Sequence, residues 1–362
     1  MKSFYIALGV ISLVIIVIVI VIFLMMIKIT RVMISSNFDQ RYDDRHTLKY
    51  FTVDDFENLK NEPIEFTSNN GQKLRGFLYS STLFTEYKAL MVVSHGLGAG
   101  HLQYTTEINY FAQKGYLVFA FDDTGCNLSE GDKINGVTQG LIDLDYALKY
   151  IDSNDRLKDY KKVLFGHSMG AFSVLNVTSL NKTKISGIVS LAPFKDEASM
   201  LFEQFRAITN LKYKTVYRLL KKNSVKRFGD ISKINTIDSL KDSDIPTFII
   251  AGDQDPMVDY YSNFCIFKEL YENKENFKFL SVEGRYHRPN LSLKAAQYDQ
   301  DTNVELQQLH GEYKGNTPQE RIDEFYKKLD YDLLVEMDDD VMNKISSFLD
   351  NCLEDKGEKN EM

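Results

Sequence analysis

Three residues in this chain have the types that nucleophilic acyl chemistry needs, in the order Ser168, Asp255, His287. A serine hydroxyl is a poor nucleophile until a base takes its proton, and the base needs a third group to hold its tautomer. Ser168 is the centre of Gly166-His167-Ser168-Met169-Gly170, flanked by the apolar run Val163-Leu164-Phe165 and the helix-like run Ala171-Phe172-Ser173-Val174-Leu175. A serine on a sharp turn from strand to helix stands clear of the sheet, and the residues two before and two after it must be very small. The pattern predicts a strained, left-handed backbone at Ser168 and a helix from Met169 whose free N–H groups point at the reacting centre.

The base is sought among six histidines. His46 lies in a polar segment near the N-terminus, His167 belongs to the serine turn with its ring expected to point away from the hydroxyl, and His310 lies in a polar stretch. His95 and His101 flank a glycine loop. That leaves His287, in Glu283-Gly284-Arg285-Tyr286-His287-Arg288-Pro289, a loop after the last predicted strand. The acid belongs between serine and histidine, where Ala251-Gly252-Asp253-Gln254-Asp255-Pro256-Met257-Val258 follows a buried run. Either aspartate can in principle point at His287; Asp255 is preferred, with Asp253 capping the turn. A tetrahedral intermediate also needs N–H donors where its oxyanion forms. Met169 supplies one, and Leu97 supplies the other from Ser94-His95-Gly96-Leu97-Gly98-Ala99-Gly100, whose glycines let the backbone approach a substrate closely.

These loops need a sheet to present them. Residues 63–68 and 73–79 alternate apolar and polar around Asn69-Asn70-Gly71, the signature of a hairpin. Continuous apolar runs follow at 89–93, 116–121, 163–165, 188–191, 246–251 and 277–282, as in strands covered on both faces. Helical patterns lie between them, such as Leu141, Leu144, Leu148 and Ile151 on one face. The alternation predicts an α/β fold: a mostly parallel central sheet with helices on both sides. Two stretches interrupt it. Residues 195–241 are helical in pattern and sit where a lid would, and 290–329 read as a peripheral helical insertion.

With these motifs assembled, the chain from about Pro63 resembles the α/β-hydrolases, in their serine aminopeptidase/monoacylglycerol lipase-like branch. The matching residues are His95-Gly96-Leu97-Gly98, the Gly166–Gly170 pentapeptide, Gly252-Asp253-Gln254-Asp255-Pro256-Met257-Val258 and the histidine loop. The serine–acid–histidine order is also that of the family. Asp122-Asp123-Thr124-Gly125-Cys126-Asn127-Leu128-Ser129-Glu130-Gly131 keeps the frame of the family's D-x-R-G-x-G-x-S-x-G loop, with Thr124 and Asn127 in place of the usual arginine and glycine. The resemblance implies an α/β-hydrolase fold with a helical lid. It also implies cleavage of carboxylic esters, lipid esters among them, through an acyl-enzyme on Ser168. Two rivals stand beside it. A serine aminopeptidase would need an acidic lid residue such as Glu197 or Glu203 to hold the substrate amine, and a silent binding module would keep the fold and fail to react.

The remaining sequence bounds the partners. The formal net charge of -8 argues against nucleic acid, which needs a basic face. Three scattered cysteines suggest neither zinc nor a disulfide framework, and with no Walker or dinucleotide fingerprint no cofactor or metal is expected. Residues 3–27 carry no charge, long enough to span a bilayer, and lack a cleavage site. The expected organisation is therefore a transmembrane anchor at 1–34, a juxtamembrane stalk or peripheral helix at 35–61, and the catalytic domain at 62–362. Lys2 and the free amino group before the span are nearly balanced by Lys28 and Arg31 after it, with a slight lean to a cytoplasmic C-terminal side, and the side of the membrane stays open. Finally, 211–233 carries eight basic residues against Asp230, with Tyr213, Val216, Tyr217 and Leu220 at helical spacing. Such a helix either rests on anionic lipid or packs its apolar stripe into the core.

Overall fold

The computed structural model describes residues 2–44, 48–180 and 182–354; Arg45 and His46, in the expected stalk, lie outside the described residues. A single helix, α1, runs over Lys2–Phe38. The hairpin follows as β1 (Leu59–Thr67) and β2 (Lys73–Ser81), antiparallel, with Ser68 N–H on the Gln72 carbonyl closing the turn. Strands and helices then alternate. They are β3 (Ala89–Ser94), α2 (Thr105–Gln113), β4 (Tyr116–Phe121), α3 (Val137–Ser153), β5 (Lys162–His167), α4 (Met169–Asn176) and β6 (Ile185–Leu191). After β6 come α5 (Glu197–Thr209), α6 (Lys214–Phe228) and α7 (Thr236–Asp242), before β7 (Thr247–Gly252), α8 (Phe264–Tyr271) and β8 (Phe277–Val282). The C-terminal part holds α9 (Leu293–Glu312), α10 (Gln319–Lys327), α11 (Tyr331–Leu334) and α12 (Asp339–Leu353).

The strands form one eight-stranded sheet in the order β1-β2-β4-β3-β5-β6-β7-β8. β3 to β8 run parallel, while β2 pairs antiparallel to β1 and β4. The chain winds outward in both directions from the β3–β5 pair, so the crevice at their carboxyl ends is where such a sheet takes a ligand. The apolar runs work as expected. On β3, Leu90 and Val92 join one core with Leu141, Leu144 and Leu148 of α3, while Met91 and Val93 join the other with Ile108 of α2 and Ile345 of α12. Alternate residues face opposite layers, so a strand covered on both sides must be apolar throughout. On α6, Val216 and Leu220 are buried, and Lys221 and Lys222 are exposed, so its apolar stripe serves the core.

In the N-terminal segment, residues from 35 onward are bound to the globular part. Thr30, Ile34 and Phe38 are buried at four-residue intervals, and Ile34 and Phe38 belong to the main core. Beyond the helix the chain is stitched to the loop after β4. Asn135 and Ile134 donate N–H to the Phe38 and Gln40 carbonyls at 3.0 and 3.0 Å, and Tyr42 exchanges backbone bonds with Gly125 and Asn127 at 2.9 and 2.8 Å. Within the expected stalk, β1 already begins at Leu59, opposite Ser81. A truncation that starts at residue 26 should therefore keep the stability of the globular part. One that starts at 35 loses Ile34 and frays Phe38, costing about 2–4 kcal/mol at the usual 1.5–3 kcal/mol per large apolar side chain. Thermal unfolding of the two forms measures the difference.

Candidate active site

The serine turn is built as its sequence requires. Ser168 has φ 56° and ψ −113°, a conformation that costs energy for any residue with a Cβ. A Cβ on Gly166 would lie 2.3 Å from the Gly170 carbonyl oxygen, and one on Gly170 would lie 1.9 Å from that of Ser94. These two positions have room for hydrogen alone, which is why glycine brackets the serine. Ser168 N–H is fixed on the Leu191 carbonyl at 2.9 Å.

The carboxyl ends of the parallel strands bring the other candidates together. Asp255 follows β7 and His287 follows β8; His287 Nδ1–H donates to Asp255 Oδ2 at 2.8 Å. Asp255 Oδ1 accepts the N–H groups of Met257 and Val258 at 2.8 and 3.0 Å, so the buried carboxylate is held from both sides. Asp253, the other aspartate, accepts the Gly284 N–H at 2.8 Å and ties the β7 exit to the β8 exit. Ser168, His287 and Leu97 line one cavity of about 380 Å³. Among the described residues Ser168 Oγ makes no hydrogen bond. The N–H groups of Leu97 and Met169 likewise meet no partner there. Bonds of this kind are often long before a substrate closes the site.

The supporting histidines have duties of their own. His95 accepts the Asp123 N–H on Nε2 at 3.0 Å, so its Nδ1–H donates to the Gly96 carbonyl at 2.8 Å. Burial lowers its pKa, keeping it neutral. His101 lies buried on Asp122 Oδ1 at 2.9 Å, and His310 bonds Thr317. His167 lies on the cavity and packs beside His287, ring centres 4.7 Å apart. Burial, with the neighbouring His287, holds its pKa well below the usual range. The neutral ring then fixes a directional chain: Gly96 N–H to Tyr104 Oη at 3.0 Å, Tyr104 O–H to His167 Nδ1 at 2.8 Å, and His167 Nε2–H to the His287 carbonyl at 2.9 Å.

That chain joins the glycine loop, the serine turn and the histidine loop through Tyr104, which sequence reasoning missed. Nothing in Leu102-Gln103-Tyr104 marks the tyrosine, because its role exists only once three loops meet. Tyr104→Phe leaves a buried N–H and an imidazole nitrogen unpaired. It should cost about 1–3 kcal/mol in stability and lower turnover about tenfold through looser positioning. Thermal melts and short-ester kinetics test both; unchanged kcat would mean the relay does not set the site.

A second buried device was also invisible in the sequence. Glu107 of α2 accepts from Arg288 Nη2 at 2.7 Å and Asn290 Nδ2 at 2.8 Å, anchoring the loop that carries His287. The two departures in the loop after β4 are accommodated locally. Thr124 N–H and Oγ1–H donate to Asp143 at 2.8 and 3.0 Å, and Asn127 takes the glycine's left-handed conformation at φ 41°. A guanidinium does reach this loop, from Arg41 in the N-terminal segment. It donates to the Ser129 and Gly131 carbonyls at 2.9 and 2.9 Å, and to that of Asn127.

Comparison with known proteins agrees with this architecture. Residues 85–238 match the family described as serine aminopeptidase, S33, a span that holds the Leu97 loop and Ser168 but ends before Asp255 and His287. An abhydrolase domain-containing protein of Schizosaccharomyces pombe is 26% identical over 282 residues, 72% of this chain and 70% of that protein. The quorum-quenching protein AidA of Acinetobacter baumannii is 31% identical over 37% of this chain and 44% of its own length. The monoglyceride lipase of Mus musculus is 34% identical over 29% of this chain and 35% of its own. The chain thus spans less than half the length of these last two relatives. An esterase of Pyrococcus furiosus superposes with a TM-score of 0.53 at 20% identity, covering 80% of this chain and 98% of that one, a likeness of fold.

Proposed function

We propose that this chain, an α/β-hydrolase similar to the serine aminopeptidase S33 family, is a membrane-anchored serine hydrolase that cleaves carboxylic esters, lipid esters among them. The observation that carries the reading is the 2.8 Å bond from His287 Nδ1–H to a doubly anchored Asp255, with His287 and Ser168 facing one cavity. In this reading Ser168 Oγ attacks the ester carbonyl as His287 Nε2 takes its proton. The N–H groups of Leu97 and Met169 receive the oxyanion. Collapse breaks the bond to the alcohol, which leaves with the proton from His287. Water, deprotonated by the same nitrogen, then attacks the acyl-enzyme and frees the acid and Ser168. Asp255 keeps the proton on Nδ1 and stabilises the imidazolium.

The peptidase rival loses support at its two acidic candidates. Glu197 is buried and taken up by Val137 N–H at 2.9 Å, Ser224 Oγ at 2.5 Å and Arg227. Glu203 is held by Asn263, and burial raises its pKa to about 7, which weakens it as a holder of a substrate amine. The anchor is supported by α1, whose Phe4–Met25 stretch is exposed and apolar and by length and composition suits a bilayer. α5 bears Met200 and Gln204 on the cavity, as a lid would. The test is a fluorophosphonate on the detergent-solubilised chain, followed by aryl esters from acetyl to palmitoyl. Labelling at Ser168 with ester turnover supports the reading. A folded protein that neither labels nor turns over any ester is the silent module, and turnover of short peptides alone returns the peptidase.

A further inference from the structure

The cavity at Ser168 has an unexpected wall. Ser36, Asn37, Gln40, Arg41 and Tyr42, from the end of α1 and the segment after it, line it. Much of the facing surface, Leu97, Ala99, Met200, Met257 and Val258, is apolar. The same helix that carries the exposed apolar stretch therefore ends inside the candidate active site.

This is a built wall and not a passing linker. α1 is continuous to Phe38, and residues 30, 34 and 38 are buried on one face. Arg227, which binds Glu197, sits 5.1 Å over the Phe38 ring, and Gln103 Nε2 donates to Tyr42 Oη at 2.6 Å. Asn37 Nδ2 and Gln40 Nε2 both donate back to their own helix, to the Met33 and Ser36 carbonyls at 2.8 and 2.9 Å. Each amide thereby spends one of its two N–H groups, and its oxygen remains as an acceptor for a ligand. Ser36 lies 11 residues beyond Met25, about 16 Å along a helix.

We infer that residues 36–42 are the substrate-recognition wall of this site, and that the cavity is loaded with ester amphiphiles from the bilayer that α1 crosses. The inference rests on the ester-hydrolase reading and on the anchor. An amphiphile whose chain is still in the membrane meets a cavity held at fixed height by a rigid helix. The apolar side takes the acyl chain, and the amide acceptors face an alcohol part that carries hydroxyl donors.

The test uses the full chain in phosphatidylcholine vesicles, with two fluorogenic esters of 4-methylumbelliferone. The oleate is supplied in the same vesicles and the acetate in the water. One variant inserts seven helix-forming residues between Met25 and Met26. Seven residues keep the docked face nearly in phase and lift the domain by about 10 Å. Acetate turnover should stay within about twofold while oleate turnover falls at least about tenfold; equal oleate turnover overturns loading from the bilayer. In the second variant, Gln40→Trp, the oleate-to-acetate ratio of kcat/KM should change at least about fivefold, and an unchanged ratio overturns the wall. Acetate turnover that depends on Ser168 while both variants leave oleate turnover as in the parent sinks this inference alone. Loss of all Ser168-dependent turnover in the parent sinks the hydrolase reading with it.

Discussion

Replacing Ser168 with alanine should abolish ester turnover, by about 10⁴-fold or more in kcat, and leave the fold intact. Triad residues act as a unit, so removing the nucleophile costs nearly as much as removing all three, and only the catalysis owed to binding and the oxyanion donors survives. Alanine keeps a Cβ at φ 56°, so the strain of the turn is unchanged and the melting temperature should barely move. Ser168→Gly is the informative companion. Glycine relaxes the left-handed backbone, and it should stabilise the protein by about 1 kcal/mol while being equally inactive. Residual activity in the alanine variant within about tenfold of the parent would remove Ser168 from the chemistry. The pair of melts separates the cost of holding a nucleophile from the cost of the turn itself.

Glu107→Ala should be the most damaging substitution to stability, at about 3–5 kcal/mol, because it removes the buried carboxylate to which both Arg288 and Asn290 donate. In a chain of this size that lowers the melting temperature by about 4–7 °C. Burial pushes the Glu107 pKa up, but Arg288 and Asn290 outweigh it and leave the carboxyl below its usual value. A depressed carboxylate contributes stability above its unfolded pKa, near 4.3, and loses it as pH falls through the folded value. The parent should thus lose this contribution in the acid range below about pH 4.3, where Glu107→Ala shows a flatter profile. The double variant Glu107→Leu with Arg288→Met removes both charges and should recover most of the stability. Its ester turnover should remain low, since Arg288 follows His287 directly and its tie to α2 sets where that loop sits. A double variant as unstable as Glu107→Ala would mean that the loss is packing and not electrostatics.

Much of this protein can be read from local pattern. A strand buried on both faces must be apolar throughout, so β3, β4, β5 and β7 announce themselves without a partner in view. The turn at Ser168 is legible because steric exclusion acts within five residues: Gly166 and Gly170 have no space for a side chain. Asp255 and His287 were nameable because a parallel sheet puts every strand's carboxyl end on the same edge, so a loop's position in the chain fixes its place around the crevice.

What the sequence by itself determined is therefore the α/β layering, the strained serine turn and the candidate residues at the strand ends, all consequences of short-range sterics and periodic burial. Only the tertiary structure decided that Tyr104 joins three loops, that Glu107 holds the histidine loop, and that Ser36, Asn37, Gln40, Arg41 and Tyr42 line the cavity. Those features depend on contacts between segments dozens to hundreds of residues apart. The polar side chains that make them, such as Arg41, Asn37 and Gln40, carry the same composition as a solvated linker until the fold supplies their partners.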